Sequence, residues 1–259
     1  ILGPIHLFMQ FWYHTRLINK MGVLEHILVT PSHHRVHHAI NPEYLDKNFS
    51  QIFIIWDKIF GTFQEELTAI PPVYGILRPA KTWNPIRINF KHFFSLLKDA
   101  IQTKYWTEKI KLWFMPTGYR PSDIAISYPI NTIKNPNELI KYKTENSLFV
   151  IIWGYLQLPI SLLMIFHLFS VENKFEPIWI YLYAGIIMAN IFSFSSLLDK
   201  NKVVILSELI KLSLIGIVLW KLDFHWFNFS LPITFVFLGF QLISIFISFT
   251  LLKITNIKK

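Results

Sequence analysis

Apolar and polar positions divide the chain into two unlike parts. Beyond residue 147 four apolar runs, at about 148–169, 177–197, 203–221 and 231–252, each approach the roughly 20 residues a helix needs to cross a bilayer. Before that point the apolar positions are periodic and interrupted. Residues 5–19 read as an apolar helix carrying Leu7, Phe8, Phe11, Trp12 and Ile18, on which His6, Gln10 and His14 recur every fourth residue as one polar stripe. Residues 21–29 form a short connector with Gly22 as a helix stop. Residues 49–60 place Phe49, Ile52, Phe53, Trp56 and Phe60 at helical spacing, interrupted by Asp57 and Lys58 and stopped by Gly61. Residues 64–86 are irregular and punctuated by proline. Over 89–114 Phe90, Phe93, Phe94, Leu97 and Ile101 oppose Lys91, Lys98 and Lys104, with Trp106 and Trp113 following. That is the pattern of a basic amphipathic helix lying on a membrane surface. Residues 115–145 are a polar linker. The pattern predicts an all-α, integral-membrane helical protein, with a histidine-rich helical region at the cytoplasmic face and four C-terminal transmembrane helices.

Candidate chemistry concentrates in Pro31-Ser32-His33-His34-Arg35-Val36-His37-His38, which holds four of the ten histidines. Thr30 suits an N-cap and Pro31 the first helical position, whereas Pro42 disfavours helix in the residue before it. A short helix results. At about 100° per residue His34, His37 and His38 share one face, and His33 lies about 100° round from His34 as a supporting or solvent-facing group. Converging imidazoles are a means of holding a metal. With this cluster nearby His14 becomes a ligand candidate as well, whereas His6 reads as structural and His26 as structural or solvated. His33, and Asp46 and Asn48 in the polar turn that follows, are candidates for a further ligand or for orienting an imidazole; the plain alternative for the last two is turn chemistry. No cysteine is present, which excludes disulfides and thiolate sites. Four histidines leave zinc, iron or a pair of metals open.

Composition sharpens the membrane reading. The 259 residues are 53% hydrophobic and 16% charged, with 24 Phe and a net charge of +9. With four apolar runs in place, that charge reads as lysines facing anionic lipid, not as a nucleic-acid footprint. Lys134, Lys141 and Lys143 precede the first run, Lys200 and Lys202 fill the second loop, and Lys253, Lys258 and Lys259 form the tail. The alternate loops hold one lysine each beside acidic residues, so the histidine cluster and the C-terminus fall on the cytoplasmic side. Glu208 and Lys211 read as a local ion pair with Lys211 snorkelling to the interface. The chain begins at Ile1 within an apolar stretch, the expectation for the C-terminal part of a longer protein. Three regions follow: 1–65 for the histidine core, 66–146 for a cytoplasmic linker with its interfacial helix, and 147–259 for the four spans and basic tail. Abundant Ile, Lys, Asn and Phe favour a bacterial inner membrane over an endoplasmic reticulum.

Three short motifs occur in order: His34-Arg35-Val36-His37-His38, then Asp46-Lys47-Asn48-Phe49, then Trp56-Asp57-Lys58-Ile59-Phe60-Gly61-Thr62. Together they resemble the last histidine box and its flanks in the fatty acid hydroxylase / sterol desaturase superfamily of integral-membrane di-iron enzymes. Trp12-Tyr13-His14-Thr15 with 30–38 looks most like the alkylglycerol monooxygenase branch. The resemblance is strong over 1–65, looser over 66–125 and architectural beyond. It implies an O2-dependent lipid monooxygenase with His14, His34, His37 and His38 among the ligands of two non-haem irons. In that branch tetrahydrobiopterin is the reductant and an ether lipid within the bilayer the substrate. The superfamily's earlier boxes, H-x-x-x-H and a second H-x-x-H-H, are absent from these 259 residues. Those boxes would be missing partners from the same protein, and these residues alone should be inactive. The alternatives are a sterol or fatty-acyl hydroxylase or desaturase of the same superfamily, and a non-enzymatic polytopic membrane protein with a zinc site.

Overall fold

The computed structural model describes residues 2–257. Ile1, Lys258 and Lys259, used above for the chain start and the basic tail, lie outside the described residues, as do the side chains of His6 and Lys253. The described residues are all-helical, with two isolated β-bridges and no strand. They form two compact units, and residues 66–146 are shared between them.

The first unit runs to Pro79 and includes Ala125–Lys141. Helix α1 (Leu2–Trp12) ends well short of residue 19. The backbone beyond Trp12 has other partners. The carbonyls of Thr15 and Ile18 accept from Arg35 Nη1 at 3.2 and 2.8 Å, and Thr15 Oγ1 accepts from Leu17 N at 3.1 Å, local bonds that compete with a helical ladder. Helix α2 (Pro31–His37) starts where predicted, after Thr30 in extended conformation. Helix α3 covers only Ile55–Phe60, half of the predicted stretch, and stops at Gly61, whose φ of 72° is left-handed. Residues 49–54 are instead held by cross-links: Val29 N to Ile52 O at 2.8 Å and Ile54 N to Ile27 O at 3.0 Å. Asp57, buried, accepts from Phe49 N (2.8 Å), Ser50 N (3.0 Å) and Thr62 Oγ1 (2.6 Å). Beneath α2, Val36, Ala39 and Tyr44 form a small core with Ile70.

The second unit holds Ala80–Ile124 and the described residues from Tyr142 onward. Helix α4 (Pro85–Gln102) is capped by Asn84, which accepts from Arg87 N at 3.1 Å. The predicted helix over 89–114 breaks at Thr103, whose hydroxyl donates to Asp123 at 3.0 Å, and resumes as α5 (Trp106–Lys111). After α6 (Ser122–Ser127) come four spans: α7 (Leu148–Val171), α8 (Pro177–Leu198), α9 (Val203–Lys221) and α10 (Leu231–Ile257). Each is long and apolar enough to cross a bilayer, and the chain is an integral membrane protein. Their shared core gathers Met164, Tyr183, Ile186, Ile215, Trp226 and Phe227.

Lys211 does not snorkel. It is fully buried, 2.9 Å from Glu208 Oε2, and donates to Asn190 Oδ1 at 2.9 Å. Asn190 in turn donates to Gln157 Oε1 and Ser161 Oγ, and Ser244 donates to Glu208 Oε1 at 3.0 Å. All four spans contribute to this network. Hydrocarbon offers a charge no partner, so the pair turns inward to groups that can satisfy it.

Candidate metal centre

Three imidazoles meet at their tips. His34 on α2 and His38 at its C-cap, four residues apart, place their Nε2 atoms 2.9 Å from each other. His14, carried by the turn after α1, brings its own Nε2 to 2.8 Å from that of His34 and 3.2 Å from that of His38. First-row ions bind imidazole nitrogen at about 2.0–2.1 Å, so two such ligands at right angles stand about 3 Å apart. The triangle has edges of that size, and these three residues are the metal-capable group among the described residues.

Tautomer and charge suit the same role. His14 Nδ1 lies against the carbonyl oxygen of Gln10. A carbonyl only accepts, so Nδ1 carries the hydrogen and Nε2 turns a lone pair toward the triangle. Burial, with His38, His14 and His37 around it, pushes the His34 pKa down to about 3. Burial with His37 and His14 also lowers that of His38. Neutral imidazole is the form that ligates a metal.

The other candidates lie elsewhere. His37 is exposed beside the triangle, stacked on His34 at 5.6 Å, with Nδ1 3.4 Å from the Lys47 carbonyl. His33 faces neither the triangle nor solvent. It is 1% exposed, edge-on to Phe63, and its Nδ1 accepts from Thr30 N at 3.4 Å. It thus occupies the place a glutamate takes in a capping box, and burial lowers its pKa despite nearby Glu25. Asn48 reaches back to the backbone of α2 and not to an imidazole. Its amide donates to His33 O at 3.1 Å and Gln64 O at 2.8 Å while its oxygen accepts from Gln64 N at 2.9 Å. Asp46 is exposed in the preceding turn at φ 55°.

Sequence reasoning passed over the residues that hold the triangle in place. Arg35 grips Glu66 through Nε (3.1 and 2.9 Å) and Nη2 (2.6 Å), and its Nη1 holds the turn that carries His14. Glu25 Oε1 accepts from Ser32 Oγ at 2.9 Å, Thr30 Oγ1 at 3.3 Å and Met21 N at 3.1 Å, anchoring the start of α2. Tyr13, buried, packs its ring 4.3 Å from that of His34, and burial raises its phenol pKa. A cleft of about 430 Å³ opens onto the three histidines, walled by Tyr13, Arg16, Tyr74 and Ile76. An Arg–Glu pair 31 residues apart in sequence has no periodic signature. The one available signal was an arginine set inside the histidine box.

Comparison with known proteins agrees with the motif reading. Residues 1–62 match the family model described as fatty acid hydroxylase. An alkylglycerol monooxygenase of Xenopus tropicalis is 31% identical over 219 residues, covering 85% of this chain and 48% of that protein. The human alkylglycerol monooxygenase is 33% identical over 196 residues, 76% of this chain and 44% of that protein. The Caenorhabditis elegans alkylglycerol monooxygenase is 40% identical over 121 residues, 43% of this chain and 24% of that protein. The chain spans about half the length of the first two. No solved structure matches. The similarity thus covers the histidine-box motifs with the fatty acid hydroxylase model and most of this chain with alkylglycerol monooxygenases.

Proposed function

We propose that this chain supplies part of the metal centre and the membrane anchor of a lipid monooxygenase of alkylglycerol monooxygenase type. The observation that carries the reading is the triangle of Nε2 atoms from His14, His34 and His38, 2.8–3.2 Å apart. The similarity to monooxygenases supports the choice of non-haem iron over zinc for these ligands. Bound there, iron would supply O2 activation. His37, exposed beside the triangle, would serve a second iron together with ligands outside these residues.

The chain's own groups do the preparatory work. Gln10 O fixes the His14 tautomer, Arg35 and Glu66 hold the His14 turn against α2, and Tyr13 with Tyr74 walls the cleft where a lipid C–H bond would lie. In the reaction one atom of O2 enters the ether-linked C–H bond and the other leaves as water, two electrons coming from tetrahydrobiopterin. The resulting hemiacetal falls to a fatty aldehyde and glycerol. The cofactor assignment rests on the resemblance, the cytoplasmic side of the histidine helix on the lysines of alternate loops, and the bacterial inner membrane on the abundance of Ile, Lys, Asn and Phe.

Full-length protein in proteoliposomes, given an ether lipid, O2 and tetrahydrobiopterin, is expected to release aldehyde, and His38→Ala to abolish it. A hydroxylated sterol or acyl chain without aldehyde would move the assignment to another branch. One zinc per chain and no oxidation would overturn the oxygenase reading.

A further inference from the structure

Helices α4 and α5 present an apolar band to their surroundings. On α4 Phe90, Phe93, Phe94, Leu97 and Ile101 fall within about 100° of the helical wheel, and each is between 37% and 69% exposed. Trp106, Ile110 and Phe114 continue the band on α5 and the turn after it, at 64–84% exposed. Scattered exposed apolar side chains are ordinary, but a contiguous band marks a contact surface.

Charge and position select the partner. Arg87, Lys91 and Lys98 run along one edge of the α4 stripe, the arrangement by which a helix floats its apolar face in lipid and its cations at the headgroups. Helix α4 also starts at the end of a span. Asn84 donates to Phe192 O at 3.2 Å and Ser196 Oγ at 2.9 Å, in the last two turns of α8, and Trp83 N donates to Asp199 at 2.8 Å. Lys200 and Lys202 lie in the turn that follows. A cleft of about 490 Å³ opens between α4 and the start of α9, lined by Ile86, Arg87, Phe90, Phe94, Phe192 and Val203 among others. Its walls suit an acyl chain, and Arg87 suits a phosphate.

We infer that α4 and α5 form a membrane-surface element whose partner is the anionic phospholipid leaflet on the side of the α8–α9 turn. The apolar band dips into that leaflet while Arg87, Lys91 and Lys98 pair with headgroups. This surface uses no residue of the histidine site, so either assignment stands if the other fails.

These 259 residues hold no cysteine, so once any cysteine outside them is replaced by serine, single labels can be read cleanly. Full-length protein carrying Phe94→Cys, Ile101→Cys, His92→Cys or Ser95→Cys is nitroxide-labelled. Each is reconstituted in phosphatidylcholine vesicles with or without phosphatidylglycerol. Positions 94 and 101 are expected to see O2 more than a water-soluble nickel chelate, and positions 92 and 95 the reverse. Phosphatidylglycerol should widen that contrast, and the triple variant Arg87→Gln, Lys91→Gln, Lys98→Gln should remove the widening. Equal nickel access on both faces would overturn the proposal in favour of a solvated helix. Exclusion of both relaxants at 94 and 101 would overturn it in favour of a protein partner. A contrast indifferent to phosphatidylglycerol would overturn the headgroup assignment.

Discussion

The Arg35 guanidinium and the Glu66 carboxylate form a two-pronged fork, 2.6 Å at its closest, each side chain less than one-fifth exposed. Glu66 aims the guanidinium so that Nη1 clamps the carbonyls of Thr15 and Ile18, and His14 sits one residue before that clamp. Lysine in this place would keep the charge and lose the fork. Arg35→Lys should therefore weaken metal binding roughly 10–100-fold, as loss of outer support around metal ligands commonly does. A competing-chelator titration of full-length protein measures this. Glu66→Gln should shift affinity in the same direction by less. Wild-type affinity in Arg35→Lys would mean that the fork does not position His14.

Asp57 is a structural carboxylate with a pH signature. Burial alone would raise its pKa, but hydrogen bonds from Thr62, Ser50 and Phe49 outweigh that and hold it below the usual value. Because the folded pKa is lower than the unfolded one, its contribution is present above about pH 4 and is lost as pH falls through the folded value. Asp57→Asn should cost about 1–3 kcal/mol at neutral pH, with a flatter acid limb in thermal unfolding. A variant melting like wild type would contradict this role.

His33 belongs to the fold and not to the metal. His33→Ala should destabilise the first unit by on the order of 2 kcal/mol, since it strips a buried ring and leaves Thr30 N–H unpaired. The refolded variant should keep the wild-type metal stoichiometry. Loss of metal at unchanged stability would make His33 a ligand.

How these roles divide shows what a sequence reveals. The spans were legible because each apolar run is long, and lipid admits few alternatives to a helix. The helix at Pro31–His37 was legible from its cap, its proline and the spacing of its histidines. Long-range partners were not. Helix α1 stops after Trp12 because Arg35, from another helix, takes the carbonyls beyond it. His37 shares a helical face with His34 and His38, yet the third member of the triangle comes from His14, a choice made by how the turn after α1 docks. Helical spacing shows that Lys211 pairs with Glu208 but not that Asn190 on α8 accepts from it, which is what keeps it buried and not snorkelling.

That buried pair makes its own prediction. Lys211→Met leaves Glu208 uncompensated inside the bundle and should cost about 3–5 kcal/mol. Replacing both, as Glu208→Leu with Lys211→Met, should recover most of that loss. Thermal unfolding in detergent separates the two outcomes. A double variant as unstable as the single one would mean that the pair is worth more than its desolvation.

His14, His34 and His38 are proposed to hold one iron together. Metal content of purified full-length protein, set beside its His34→Ala and His37→Ala variants, tests it most directly. Two irons per chain are expected in the wild type. His34→Ala should lose the ion at the triangle, and His37→Ala should keep that ion while losing the other. Wild-type iron retained by His34→Ala would mean that the triangle is not a metal site.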